Sequence, residues 1–367
     1  MDVVIFGLTV SSSWGNGHAT LWRGLLRALA AHGCRLTFFE HDVPYYAANR
    51  DLHEIPGGAL VLYDHWSNVV PYAERRIAEA DAVIITSYCP HGIEATDLLM
   101  EAARPLRVLY DLDTPVTLSR LSRGESTTYI GPRGLADFDI VLSYTGGRAL
   151  DELRTRLGAR HVLPLYGHVD PEVHKCAEPV ERFASDLSYL GTFSADRQQT
   201  LDALFIAPAR LRPALRFLLA GAQYPADFPW APNIFFVRHL EPPQHPGFYS
   251  SSRLTLNVTR DAMARMGWCP SGRLFEAAAC GAAILSDWWP GLDEFFTPGA
   301  EILVANNTDE AVAALDLSDA ELRGIARRAR ERVLAEHTSD RRAAELLEIL
   351  THGRAESAAC ETRVLEV

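Results

Sequence analysis

A serine, an arginine and a glutamate lie within about one helical turn in the stretch Pro270-Ser271-Gly272-Arg273-Leu274-Phe275-Glu276-Ala277-Ala278-Ala279-Cys280-Gly281. Ser271 can cap a helix running from about Gly272 to Cys280, and Gly281 supplies the left-handed residue that ends it. Leu274 and Ala278, with Phe275 and Ala279, recur at i,i+4 spacing and can face a core, which leaves Arg273 and Glu276 on the other side. A helix N-terminus carries unpaired N–H groups and about half a positive charge, so with Arg273 beside it the first turn suits a diphosphate. A carboxylate one turn deeper, Glu276, can accept two hydroxyl protons of a ribose. Ser271, Gly272, Arg273 and Glu276 are therefore candidates for nucleoside-diphosphate binding without a glycine-rich P-loop. The plainer reading is a surface helix with an Arg273–Glu276 pair that contributes only about 0.2–0.5 kcal/mol.

Two further loops carry reactive side chains. In Trp14-Gly15-Asn16-Gly17-His18-Ala19-Thr20 the glycines permit close backbone approach and the following helix start favours an anion or a polarised oxygen. His18 could take a proton there, or simply cap the helix. Gly15 and Gly17 also match two positions of the dinucleotide fingerprint, with Glu40 or Asp42 near the distance expected for a ribose-binding acid. An NAD(P)-dependent oxidoreductase is thus the rival reading, weakened by Thr20 where the third glycine would stand. In Tyr110-Asp111-Leu112-Asp113-Thr114-Pro115, Asp113 could act as a base or bind acceptor hydroxyls; alternatively it makes a turn with Thr114 and Pro115.

The run from Ser271 to Asp287, followed by Pro290-Gly291-Leu292-Asp293-Glu294-Phe295-Phe296 and Pro298-Gly299-Ala300-Glu301, resembles the C-terminal domain of GT-B glycosyltransferases. Within the broader group-1 set it is most similar to the CgeB-like (spore maturation protein) transferases. The resemblance implies two doubly wound Rossmann-like domains facing across a cleft, and transfer of a sugar from a nucleoside-diphosphate donor to an acceptor. It maps the ribose-binding glutamate onto Glu276. Many retaining relatives carry a second glutamate eight positions earlier, where this chain has Trp268, so the stereochemical outcome is left open. The stretch Tyr189 to Arg197 is similar to the first strand and loop of the CgeB-like C-terminal domain, which makes Gly191, Thr192 and Arg197 candidates for the donor phosphates. The first loop of GT-B enzymes faces the donor sugar and acceptor, which places Gly17 with the donor and makes His18 a catalytic candidate; Asp113, at a strand end expected to face the cleft, is the other. No metal and no cofactor is expected; the donor is a nucleotide sugar such as a UDP-, GDP- or dTDP-sugar, and the acceptor a small molecule or glycan. A non-catalytic sugar-binding protein that kept the GT-B fold is the other alternative.

These residues need strands to present them. Val3–Leu8, Leu36–Phe39, Ala59–Tyr63, Ala82–Thr86, Leu106–Tyr110, Ile140–Ser143 and Val162–Leu165 read as buried strands alternating with helices, which predicts a parallel α/β sheet. A second alternation covers Leu187–Leu190, Leu215–Leu219, Ile234–Val237, Leu254–Asn257, Ala283–Leu285 and Ile302–Val304, with helices near 195–207, 272–280, 308–315 and 319–336. The expected division is 1–168 for the N-terminal acceptor-side domain, 169–184 for a linker and 185–338 for the nucleotide-sugar domain. A helix over 339–350 crosses back to the first domain in the resembling family, and 351–367 forms a tail.

The 367 residues suffice for two cores, with 48% hydrophobic and 22% charged residues. A formal charge of −12 makes nucleic acid an unlikely partner, and among 35 basic residues all but Lys175 are arginines, so a Walker P-loop is excluded. Phosphate recognition must come from arginine, backbone amides or helix ends. Six cysteines without a C-x-x-C pair, together with His161, His168 and His174 lacking ligand spacing on one element, suggest neither disulfides nor a metal site. No apolar run reaches membrane-spanning length, and a cytoplasmic protein is expected.

Overall fold

The computed structural model describes residues 1–365, with side chains described through residue 355. The apolar runs form two wholly parallel sheets. The first contains β1 (Asp2–Gly7), β2 (Arg35–His41), β3 (Gly58–Tyr63), β4 (Ala82–Thr86), β5 (Leu106–Asp111), β6 (Ile140–Ser143) and β7 (Val162–Pro164), in the order β3-β2-β1-β4-β5-β6-β7. The second contains β8 (Leu187–Leu190), β9 (Phe217–Gly221), β10 (Ile234–Arg238), β11 (Thr255–Asn257), β12 (Ile284–Ser286) and β13 (Leu303–Val304), in the order β10-β9-β8-β11-β12-β13. Strands such as β1 and β4 are buried along their whole length, as expected where helices cover both sheet faces. Each sheet reverses its strand order once, between β1 and β4 and between β8 and β11. Crevices beyond the carboxyl ends of strands at such reversals are where open α/β sheets hold ligands.

The chain divides into two compact units, Met1–Tyr166 with the helix that begins at Ser339, and Gly167–Thr338. Ile5, Leu25, Leu29, Val108 and Leu142 belong to the first core; Phe205, Phe217, Leu254 and Leu285 belong to the second.

The C-terminal helix runs Ser339–Leu365, well past the expected end at 350; residues 366–367 of the expected tail lie outside the described residues. Its apolar side places Ala343, Leu346 and Leu350 in the first core, each fully buried. Asp340 meets His32 at 2.9 Å and Arg354 meets Asp81 at 2.9 Å, which fastens the helix beyond the apolar stripe. Gly353 lets it approach the sheet, since a Cβ there would lie 2.6 Å from Ile140 Cδ1.

Two other expectations shift. β9 starts at Phe217 rather than Leu215, whose amide instead closes a turn onto Arg212 O at 3.0 Å. The helix expected near 195–207 opens as a 3-10 turn, Ala195–Arg197, and widens to a π segment, Asp202–Ile206, before the helical turn Ala207–Leu211. Pro208 contributes to that irregularity because it has no N–H for the helical ladder. Among the described residues no helix is long and apolar enough to cross a membrane, and Cys34, Cys89, Cys176, Cys269 and Cys280 are free thiols.

Truncating Leu346 to alanine removes a fully buried side chain, and the expected cost is about 2–5 kcal/mol of first-unit stability in urea denaturation followed by near-UV circular dichroism.

Candidate functional site

In the second unit the predicted donor residues gather where the strand order reverses. Helix Gly272–Ala279 has Ser271 at its N-cap position, buries Leu274, Phe275, Ala277, Ala278 and Ala279, and stops at Gly281 with φ +77°. One expectation is corrected: the Ser271 hydroxyl does not cap the helix but accepts from Arg273 Nε at 3.2 Å. Arg273 also donates Nη1 to Leu190 O at 2.7 Å and Nη2 to Val258 O at 3.3 Å, so it ties the end of β8 to the segment after β11. Gly191 is required at this point, because a Cβ would sit 2.7 Å from both Arg273 Nη1 and the Tyr189 hydroxyl. The Thr192 carbonyl accepts from Arg197 Nη1 at 3.3 Å, while Arg197 Nε is buried without a hydrogen-bond partner. Burial, reinforced by repulsion from Arg273 and Arg260, lowers the pKa of Arg197. Two arginines are thus held close enough to repel, by backbone carbonyls rather than carboxylates, an arrangement that attracts an anion.

Glu276 is half-buried, and its backbone carbonyl accepts from Cys280 N at 3.1 Å. Its Oε2 lies 4.0 Å from His174 Nε2, and Oε1 lies 3.8 Å from where a Cβ on Gly272 would be, toward the helix start. His174 and His245 come from separate elements and join Glu276 in a group whose donor atoms all fall within 4.8 Å of one another. Spacing along one element could not reveal this, since the three residues meet only through the fold. Trp268 has φ +45°, and its Nε1 donates to Glu294 Oε1 at 2.7 Å.

In the first unit His18 and Asp113 lie near one another, joined by a residue the sequence did not single out. Asn16 Oδ1 accepts from His18 N at 3.0 Å and starts helix Gly17–Ala31, whose first residue, Gly17, has open space where a Cβ would be. Tyr88, in the loop after β4, places its ring 5.6 Å from the His18 ring and donates its hydroxyl to Asp113 Oδ2 at 2.9 Å. Tyr88 has φ +63°, a left-handed backbone that a bulky residue adopts only where its surroundings enforce it. Asp113 sits at the N-cap of helix Thr114–Ser122 without capping it by its side chain, so the turn reading misses that helix. Burial lowers the His18 pKa, with Asp113 opposing, and His18 Nδ1 is buried without a hydrogen-bond partner. Burial also pushes the Asp111 carboxyl up to about 6.

The dinucleotide assignment loses Glu40. Glu40 is completely buried and receives Thr9 Oγ1 at 2.6 Å, Val10 N at 2.8 Å, Ser11 N at 2.9 Å and Ser11 Oγ at 2.5 Å, all from the loop after β1. Asp42 is paired with Arg50 at 2.5 Å. Glu40 shapes the chain and is closed to a ribose, while Asp42, braced by Arg50, stays partly exposed.

Residues 197–348 match the model of the glycosyl transferase-like family. No curated protein matches the chain. Among solved structures, the chain is similar to sucrose-phosphate synthase from Thermosynechococcus elongatus, with a TM-score of 0.70 at 14% identity over 97% of this chain and 99% of that one. It is similar to Anabaena HepE in complex with UDP and glucose, with a TM-score of 0.66 at 13% identity over 96% and 100% of the two chains. An α-glucosyltransferase in complex with UDP and a 13-mer DNA containing an HMU base gives 0.67 at 14% identity over 96% and 99%. These likenesses show the fold. It is the GT-B fold of glycosyltransferases.

Glu40→Ala is expected to leave two buried N–H groups without acceptors and to cost about 2–5 kcal/mol in denaturant unfolding. For His18 the sign follows from its lowered pKa. The unfolded chain protonates this imidazole near the ordinary histidine value of 6.5, before the folded chain does, so its contribution is complete at neutral pH and lost as pH falls below about 6.5. Unfolding free energies measured from pH 7.5 to 5.5 (chosen to bracket about 6.5) should fall less steeply in His18→Gln than in the unsubstituted protein.

Proposed function

We propose that the protein is a glycosyltransferase that takes a sugar from a nucleoside-diphosphate donor bound by its second unit. One observation carries this reading: at the strand-order reversal between β8 and β11, Arg197 and Arg273 stand beside the start of helix Gly272–Ala279, with the Glu276 carboxylate one turn along. The guanidinium pair and helix N-terminus stabilise the leaving diphosphate, and Glu276 accepts the ribose hydroxyls. Gly191 and Thr192 offer backbone close to the phosphates, and Ser271 steadies Arg273. The match of residues 197–348 to the glycosyl transferase-like family supports the same assignment.

UDP is the favoured nucleotide, because HepE and the α-glucosyltransferase were each solved with it. In the first unit, His18 is the candidate base for an acceptor hydroxyl. Its lowered pKa keeps the imidazole neutral at physiological pH, as a base must be, while Asp113 and Tyr88 position it. Gly17, at the open start of the same helix, is the candidate for backbone approach by the sugar. The acceptor is a small molecule or glycan, the reading asks for no divalent ion at the diphosphate, and the proposed branch is the CgeB-like one, acting in the cytoplasm. A binding protein that kept the fold would take the same nucleotide without turnover, a reading that Trp268 in place of the second acid keeps in view.

A thermal-shift panel of UDP, GDP, dTDP, CDP, ADP, NAD⁺ and NADP⁺ tests the donor assignment. Stabilisation by one nucleoside diphosphate is expected, about 2.7 kcal/mol at roughly 100 times its dissociation constant, and should vanish in Glu276→Ala. Stabilisation by NAD⁺ or NADP⁺ alone would contradict the proposal. Release of UDP from a UDP-sugar in the presence of acceptors separates the enzyme from the binding protein.

A further inference from the structure

Buried polar atoms of the second unit converge without hydrogen-bond partners around one side of Glu276. His174 is 1% exposed, and its Nε2, 4.0 Å from Glu276 Oε2, has no hydrogen-bond partner among the described residues. His245 brings a buried Nδ1 that is likewise unpartnered, with its ring 6.1 Å from that of His174. The buried Tyr249 hydroxyl, on a ring 6.4 Å from His245, also lacks a partner. Each unmet group of this kind costs about 1–3 kcal/mol, so a cluster of them implies something that joins them.

We propose that His174, His245 and Glu276 bind a divalent transition metal of the zinc class. Two imidazoles and a carboxylate are the donor set such ions take with one position left open, whereas calcium and magnesium select oxygen ligands. The donor atoms lie within 4.8 Å of one another, and tetrahedral bonds of about 2.0–2.1 Å bring ligand atoms to about 3.3 Å, a contraction that side-chain rotation provides. The His174 backbone amide is held by Asp170 O at 2.9 Å, which fixes the turn that carries its ring. Glu276 divides its oxygens between two tasks: Oε2 faces the imidazole and Oε1 faces the helix start. The metal therefore fixes the carboxylate by one oxygen and leaves the other for a ribose hydroxyl. That last consequence rests on the donor reading given above; metal binding itself does not.

The test uses the full-length protein, stripped with a chelator and titrated with Co²⁺ followed by optical spectroscopy, then with Zn²⁺ in competition with a chromophoric chelator. One equivalent of tetrahedral Co²⁺ displaced by Zn²⁺ is expected, with binding weakened at least about 100-fold in His174→Ala and in His245→Gln. Circular dichroism confirms that each variant is folded. Absence of a stoichiometric site in the unsubstituted protein, or equal affinity in both folded variants, overturns the proposal. UDP-induced thermal stabilisation is measured on the same samples, metal-free and reloaded. No stabilisation by UDP in the unsubstituted protein, metal-free or reloaded, alongside a stoichiometric metal site in the titration, would remove the donor reading and leave the metal site standing.

Discussion

The constraint on which the second unit turns is the guanidinium of Arg273, stretched between Leu190 O and Val258 O where the strand order reverses. A charged side chain in that position joins two strand ends that the sheet ladder itself does not join at this level. It dictates a glycine at 191, takes the Ser271 hydroxyl away from capping duty, and lies close enough to Arg197 to depress its pKa. The result is positive charge held by neutral partners. A protein whose net charge is −12 keeps two arginines together here against their mutual repulsion, which the proposed diphosphate would relieve.

The first unit uses the opposite device at its own reversal. There a single buried carboxylate, Glu40, is saturated by the loop that follows β1 and so fixes the path by which the chain reaches His18. Tyr88 then spans from the loop after β4 to Asp113, which follows β5, in a backbone conformation that only tight surroundings maintain. Burial lowers the pKa of the His18 imidazole and, at the end of β5, pushes the Asp111 carboxyl up to about 6.

Much of this was legible in the residues because the signals were local. Thirteen strands announced themselves as short apolar runs, and the Ser271–Gly281 helix by its start, its stop and its spacing. Local pattern was also what misled. Glu40 stands at the right distance for a dinucleotide site, yet its carboxylate is consumed by hydrogen bonds that no spacing rule registers. Tyr88 carries no motif, and its importance comes from a positive φ and a contact across 25 residues. The grouping of His174 with His245 escapes the sequence for the same reason: they meet Glu276 only once the turn after β7, the helix His245–Ser250 and the helix Gly272–Ala279 have packed. The long C-terminal helix escaped because nothing in the sequence after Leu350 marks continuation except the absence of a strong stop.

The measurement that bears most directly on the central claim is a crystal structure of the protein with UDP bound. The account predicts pyrophosphate oxygens on Arg197, on Arg273 and at the start of helix Gly272–Ala279, with the ribose hydroxyls within hydrogen-bond distance of Glu276. Nucleotide found elsewhere, or a ribose that does not reach Glu276, would contradict it.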